Sequence, residues 1–307
     1  MRVRLEFARG EKMKYLSHLD LMRTFCRAMR RGGIPVLYSA GFNPHAQMVF
    51  GLPLPVGVTG DAEYLDIDLD IDLDKNHDMD MEDGFRADDI KAKLNAVLPD
   101  GLTVTAARIK TTKQNIMSAI THASYEMRVG IKSSECSEIR DVRQDLENAV
   151  ASFRQPGLRV VAKDSGGRAN GKKNRRGGEN AAKLIDLAPL VRSLEVREDT
   201  IVMTVSAGSV NNVKPDMILA ALNEILRAEV NVDGRSGGNS TYENGGNSAY
   251  ENGGNSAYEN GGNSVCADGC FRELVKISLH RESLYIERGG VLYKPIDSII
   301  CDAGNIV

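Results

Sequence analysis

The chain has 307 residues and a formal net charge of −3 at pH 7, and hydrophobic residues make up 42% of it. This length suits two ordinary domains and the apolar fraction is sufficient for a core, whereas the slightly acidic balance excludes a protein that coats nucleic acid through overall positive charge. Its five cysteines are scattered, its start lacks the apolar stretch of a secretory signal, and it has no run of about 18 apolar residues, so we expect a cytoplasmic protein that does not span a membrane.

The first half of the chain alternates strand and helix patterns. Residues 2–9 alternate charged and apolar side chains, which predicts a strand, and residues 17–32 predict a helix that ends at a pair of glycines. The apolar face of this helix is formed by Met22, Phe25, Cys26 and Met29. Further strands are predicted at 34–40, 46–51, 64–74 and 102–109, and a second helix at 87–98.

The second half repeats this pattern. Its predicted strands are 125–132, 158–163, 183–195, 199–206, 271–279 and 283–287, and its predicted helices are 134–153 and one that starts at Lys214. Because both halves resemble a β-α-β-β-α-β unit, the sequence predicts an α+β fold of two tandem ferredoxin-like (split βαβ) modules with antiparallel sheets. The N-terminal module would cover residues 1–112 and the C-terminal module residues 120–307.

Three segments fall outside this pattern. An octapeptide, GGNSAYEN or a close variant, repeats within residues 234–265 and holds no aliphatic residue larger than Ala. Since such a segment buries too little to offset the entropy of ordering, we predict a disordered insertion; a β-prone or partner-binding tract is the other interpretation. An acidic segment at 74–90 and a basic segment at 164–182 are predicted to be loops.

Aspartate alternates with leucine or isoleucine between Tyr64 and Asp74. A period of two places one set of side chains on each face of a strand. The pattern therefore predicts one buried face and one solvated acidic face. The competing interpretations, carboxylate chemistry or a Ca²⁺ site, lack the loop that would wrap an ion.

The segment Ser17-His18-Leu19-Asp20 has two interpretations. Serine at a helix start with aspartate three residues later is typical of a capping box, which explains Ser17 and Asp20 by local structure alone and leaves His18 as a packed or capping histidine. The functional interpretation is a polar or anion-binding site, because free backbone N–H groups at a helix N-terminus attract phosphate or carboxylate.

The same helix carries a basic face. Arg23, Arg27, Arg30 and Arg31 lie opposite its apolar face, and residues 1–31 hold nine basic and three acidic side chains. A solvated helix face is one interpretation, and a face that contacts the phosphates of RNA is the other.

A loop between two predicted strands carries Tyr38, Phe42, Asn43 and His45. One interpretation is a plain hairpin connection with Phe42 in the core. The other is a binding surface, because aromatic and amide side chains stack on nucleobases and hydrogen-bond to them. The residues expected to contact RNA or another ligand are His18, Arg23, Arg27, Arg30, Tyr38, Phe42, Asn43 and His45.

No metal or cofactor site is predicted. Cys266 and Cys270 have the first spacing of a radical SAM cluster motif, but the third position holds Glu273. Two thiols together with His280 or His122 match zinc spacings poorly. The sequence also lacks a phosphate-binding loop, a dinucleotide fingerprint and a metalloprotease motif.

Several longer motifs are shared with one known family. They are YLSHLDLMR at 15–23, GIP at 33–35, YS at 38–39, GFNPH at 41–45, PLPVG at 53–57, EYLD at 63–66, LIDL at 184–187, VKPD at 213–216 and LHRESLY at 279–285. In these motifs the chain resembles the radical-SAM-linked family, a domain of unknown function that accompanies cobalamin-binding-type radical SAM proteins. The octapeptide repeat, the acidic segment and Ala46-Gln47 depart from the family pattern.

The resemblance implies a role in the modification of RNA, either rRNA or tRNA. Together with the missing third cysteine, the basic helix face and the Phe42 loop, it predicts a non-catalytic accessory protein that presents RNA to a radical SAM enzyme encoded nearby. The expected partners are therefore that enzyme and RNA, with no DNA and no cofactor of its own. The alternative is an RNA-acting enzyme in which His18, Asp20 and His45 converge as an acid–base site. We expect the accessory role.

Overall fold

The computed structural model describes residues 1–71, 86–112, 114–133, 142–155, 161–164, 183–233 and 272–297. The predictions for the octapeptide repeat at 234–265, for Cys266 and Cys270, and for most of the acidic and basic segments lie outside these residues.

The first half forms a four-stranded antiparallel sheet covered by two helices. Strand β1 is the second strand from one edge, since the spatial order is β4-β1-β3-β2. The elements are β1 (Arg2–Arg9), α1 (His18–Arg31), β2 (Met48–Phe50), β3 (Thr59–Asp68), α2 (Ala87–Asn95) and β4 (Leu102–Ile109). Helix α1 buries Leu21, Phe25, Ala28 and Met29, which belong to the same hydrophobic core as the apolar side chains of β1.

The second half follows a short helix, α3 (Ile116–Ala119). Its elements are β5 (His122–Ser133), α4 (Val142–Phe153), β6 (Val161–Asp164), β7 (Lys183–Asp186), β8 (Val191–Arg197), β9 (Thr200–Ser206), α5 (Pro215–Asp233), β10 (Arg272–Arg288) and β11 (Val291–Tyr293). The order β10-β5-β9-β8 is again antiparallel, while β6 and β7 form a separate hairpin. Helices α4 and α5 pack on one face of this sheet and share a core with it.

The two halves are joined within one sheet. Strand β10 lies beside β3 in parallel, with His280 opposite Thr59 and Arg281 opposite Gly60. The result is a mixed α+β structure whose nine-stranded sheet is mostly antiparallel. In the part of the chain that is described, no helix is both long and apolar enough to cross a bilayer.

Several predicted strands differ from the observed ones. Residues 34–40 form only isolated bridges, Val36 to Leu69 and Tyr38 to Ala46, instead of a strand. The predicted strand 183–195 is interrupted by a 3₁₀ turn at Ala188–Leu190, because Pro189 lacks the N–H that a sheet ladder needs. The predicted strands 271–279 and 283–287 are one strand that absorbs two bulges.

The acidic face of β3 is not solvated, and this corrects the sequence-based expectation. The register places Arg4 opposite Asp66 and Arg2 opposite Asp68. Asp66 is buried and accepts hydrogen bonds from Arg4 Nε at 2.6 Å, Arg4 Nη2 at 2.9 Å and Lys110 Nζ at 2.7 Å. The alternating charges of β1 and β3 therefore neutralise each other across the sheet.

Candidate functional site

The start of α1 has the predicted cap. The Ser17 hydroxyl accepts a hydrogen bond from the Asp20 backbone N–H at 3.2 Å and donates one to Asp20 Oδ2 at 2.7 Å. Together with Arg23, whose Nη1 lies 3.1 Å from Asp20 Oδ1, these bonds lower the pKa of the Asp20 carboxyl. The N-cap interpretation is confirmed, and the side chains of both Ser17 and Asp20 are engaged in the cap.

His18 packs against an aromatic ring beside a very small crevice. Its ring meets Phe50 edge to face, with centroids 5.1 Å apart. The crevice that His18 lines together with Arg9 and Glu63 has a volume of about 10 Å³, which is room for roughly one water molecule. The packed-histidine interpretation fits this geometry, since a phosphate does not fit there.

Arg9 forms the floor of that crevice and holds the loop that follows β2. Its side chain is fully buried and donates to the carbonyl oxygens of Val58 at 2.6 Å, Pro55 at 2.5 Å and Leu16 at 3.4 Å. Burial lowers the pKa of the Arg9 guanidinium. These bonds tie the PLPVG segment to Leu16, just before α1, and among the described residues no carboxylate is bonded directly to the Arg9 guanidinium.

Most of the basic side chains of residues 1–31 have internal partners. Arg2 and Arg4 pair with aspartates of β3, and Arg9 binds carbonyl groups. Lys12 pairs with Asp100, Lys14 with Glu11, and Arg31 donates to the Val97 carbonyl. Three exposed guanidinium groups remain along α1, Arg23, Arg27 and Arg30, of which Arg23 pairs with Asp20 within the same helix; we call these three the arginine stripe.

The loop that is closed by the bridge between Tyr38 and Ala46 presents its aromatic side chains to solvent. Its base is closed by His45, whose Nδ1 lies 2.8 Å from the Ser39 hydroxyl and whose backbone N–H donates to that hydroxyl at 3.1 Å. Phe42 is fully exposed and Tyr38 is 43% exposed, and Asn43 is exposed beside them. The interpretation that places Phe42 in the core is wrong.

The structure does not bring His18, Asp20 and His45 together. In the described part of the chain, no hydrogen bond or ion pair joins any two of them. The chain from Ala46 to Phe50 is extended along β3, so five residue steps of about 3.3 Å separate His45 by roughly 16 Å from Phe50, whose ring contacts His18. One acid–base site made of all three has no geometric support.

A different histidine, His280, has a hydroxyl and a carboxylate within reach of its two ring nitrogens. His280 Nδ1 lies 2.8 Å from the Thr59 hydroxyl and its Nε2 lies 3.1 Å from Asp61 Oδ2. The sequence signal for it was only the LHRESLY motif, because Thr59 and His280 are 221 residues apart. Among the described residues, no group of three or more His, Cys, Asp or Glu side chains is arranged to hold a metal ion.

Comparison with known proteins gives the chain a family. A family model described as an uncharacterized protein conserved in bacteria (DUF2344) matches residues 2–215. This range includes the Ser17 cap, the arginine stripe and the Phe42 loop. The description of the family does not mention radical SAM proteins. No curated protein matches the chain. Because the model covers most of the sequence, the chain belongs to the DUF2344 family of bacterial proteins.

Proposed function

We propose that this protein is an accessory RNA-binding protein that contacts single-stranded RNA through the Phe42 loop and the arginine stripe. The observation that carries the proposal is the full exposure of Phe42 on a loop with a hydrogen-bonded base. Exposing a phenyl ring to water has no benefit for folding, whereas such a ring is a stacking platform for an unpaired base.

The position of the loop relative to α1 supports this proposal. Helix α1 runs back along β1 and ends at Arg31, and the chain then leads through Ile34 and Val36 directly into the loop. The arginine stripe spans about 10 Å along the helix axis between Arg23 and Arg30, and Arg30 is its member nearest in sequence to the loop. An aromatic platform next to a row of guanidinium groups suits a base and the phosphates that follow it.

The two halves share one strand topology. We infer that the two halves are ferredoxin-like modules in tandem, because their strand orders correspond. The order is β4-β1-β3-β2 in the first half and β10-β5-β9-β8 in the second, which is 4-1-3-2 in both when the strands of each sheet are counted along the chain. In the second half the β6–β7 hairpin is then an insertion between α4 and β8. A fold of this class is a scaffold for many functions, so the proposal depends on the loop and the stripe.

The accessory role extends the proposal to a partner. The motifs shared with the radical-SAM-linked family make a radical SAM protein the expected partner, to which this protein would present rRNA or tRNA. Within the described residues, no contact identifies the surface for that partner. The proposal of a radical SAM partner is supported by the resemblance alone, and it is tested separately from RNA binding.

RNA binding is tested by fluorescence anisotropy with a labelled single-stranded RNA of mixed sequence. We expect Phe42→Ala to weaken binding about 5- to 150-fold, since stacking of one base contributes about 1–3 kcal/mol. Phe42→Tyr keeps an aromatic ring and should retain affinity. Val210→Ala, which alters a side chain that is 90% exposed in the second half, is the matched control.

The arginine stripe has a separate readout in the salt dependence. Each phosphate contact contributes about 0.7 to the slope of log K against log salt for a single strand, so Arg27→Ala with Arg30→Ala should reduce the slope by about 1.4. Arg197→Ala, at the exposed opposite edge of the sheet, should leave it unchanged. Equal affinities of the wild type and Phe42→Ala at low salt would refute the site.

The partner is tested by mixing the purified protein with the radical SAM protein encoded nearby and measuring complex formation by gel filtration. A complex supports the accessory role. RNA binding without any complex would leave an RNA-binding protein and remove the radical SAM assignment.

A further inference from the structure

The junction between the two halves contains a hydroxyl, an imidazole and a carboxylate in a row. Thr59 and Asp61 are alternate residues of β3 and therefore lie on the same face of that strand, and His280 of β10 lies directly beside Thr59. The Thr59 hydroxyl is 2.8 Å from His280 Nδ1, and Asp61 Oδ2 is 3.1 Å from His280 Nε2. The first contact is a hydrogen bond, and the second is an ion-pair contact between the carboxylate and the ring nitrogen.

The carboxylate determines which ring nitrogen carries the proton. An ionised carboxylate only accepts hydrogen bonds, so Asp61 favours the tautomer of His280 with its proton on Nε2. Nδ1 is then left with a free lone pair, and the Thr59 hydroxyl donates to it. This is the arrangement of a nucleophile, a base and a group that orients the base.

Two buried arginines lie at the same junction, on the other face of the sheet. Gly60, between Thr59 and Asp61, lies opposite Arg9 on β1 and opposite Arg281 on β10. Both guanidinium groups are buried, and Glu63, which forms a bidentate ion pair with Arg281, is the buried carboxylate beside them. By the same alternation these side chains lie on the face opposite Thr59 and His280, where they hold the junction between β3 and β10 together.

The row is accessible from solvent. The His280 side chain is 27% exposed and that of Asp61 is 73% exposed. The charged group that faces His280 from the neighbouring strand β5 is Glu126, its register partner. Shortly before Thr59 in the chain, the PLPVG segment exposes the apolar residues Pro55 and Val56.

We propose that Thr59, His280 and Asp61 form a catalytic site for acyl transfer from a small carboxylic ester or thioester. Thr59 Oγ forms a bond to the acyl carbon while His280 Nδ1 takes the hydroxyl proton. The bond from that carbon to the leaving oxygen or sulfur then breaks, and the leaving group takes the proton from His280. Water attacks the acyl-threonine in the same way, which releases the acid and restores the Thr59 hydroxyl.

In this reaction Thr59 and His280 are the catalytic residues and Asp61 is a positioning residue. The site is independent of RNA binding, because Thr59 and His280 lie neither on the arginine stripe nor on the Phe42 loop. A Thr59 variant should therefore keep the RNA affinity of the wild type, so that failure of one proposal does not decide the other.

The test uses the full chain and p-nitrophenyl acetate. We expect a burst of nitrophenol followed by slower turnover, and peptide mass spectrometry of the quenched protein should locate the acetyl group on Thr59. Thr59→Ser should retain the burst and Thr59→Val should abolish it. His280→Gln should lower the acylation rate at least about 100-fold, which is typical for loss of a general base.

The controls separate this chemistry from nonspecific reaction of surface groups. Thr204→Val, which removes a threonine hydroxyl on β9, should leave the burst unchanged. For Asp61, Asp61→Asn should lower the rate and Asp61→Glu should restore part of it, which loss of structure would not produce. An acetyl group on another residue of the wild type, or equal rates for the wild type and Thr59→Val, would overturn the proposal.

Discussion

Replacing Asp66 with Asn tests whether the charges on the inner sheet face hold the first half together. Asp66 accepts three hydrogen bonds, two from Arg4 and one from Lys110, and the side chains of all three residues are at most 4% exposed. The amide keeps the shape of the carboxylate but removes its charge. Two cations are then buried without an anion.

Removing one partner of a buried ion pair typically costs about 3–5 kcal/mol, because the remaining charge is left desolvated. We expect Asp66→Asn to lie in this range. Two residues further along β3, Asp68 forms the same kind of pair with Arg2, but these side chains are 20% and 38% exposed. An exposed pair contributes about 0.2–1 kcal/mol, so Asp68→Asn is the matched control.

The assay is urea unfolding followed by far-ultraviolet circular dichroism, since the chain has no tryptophan for fluorescence. Free energies of unfolding are compared at equal slopes against urea concentration, so that the two variants refer to the same transition. If Asp66→Asn costs no more than Asp68→Asn, burial does not determine the strength of these pairs and the reasoning is wrong.

Two further predictions concern the cap and the junction. Ser17→Ala should destabilise the protein by about 1 kcal/mol in the same assay, because the Asp20 N–H loses its acceptor. The folded-state pKa of Asp20 is lowered mainly by the hydrogen bond from Ser17 and then by Arg23. The stabilising contribution of Asp20 is therefore present above its unfolded pKa and is lost as the pH falls through its folded pKa. NMR titration should show a higher Asp20 pKa in Ser17→Ala than in the wild type, and an unchanged pKa would contradict the cap. Gly60→Ala should cost about 1–3 kcal/mol, because its added Cβ would lie 2.7 Å from Glu63 Oε1 and 3.1 Å from Leu54 Cδ2; a variant as stable as wild type would show that Glu63 has room to move.

The candidate sites show where sequence patterns are sufficient. The arginine stripe follows from helical spacing once the apolar face is identified, and the exposure of its members agrees with the pattern. Phe42 is different, because nothing local decides whether a phenyl ring in a loop turns inward or outward. The site at Thr59 and His280 was not predictable from spacing at all, since a sequence pattern contains no information on which strands become neighbours.

By itself, the sequence determined the local structure at the start of α1. Ser17 and Asp20 satisfy backbone and side-chain groups within one turn, and a capping interaction of that range needs no other part of the chain. It also determined that β3 has two chemically distinct faces. Only the tertiary structure decided that the aspartate face is buried against Arg4 and Lys110, and that β10 brings His280 to Thr59. The physical reason is that alternation fixes the face on which a side chain lies, whereas register and strand order, which arise from packing of the whole chain, fix the group that it meets.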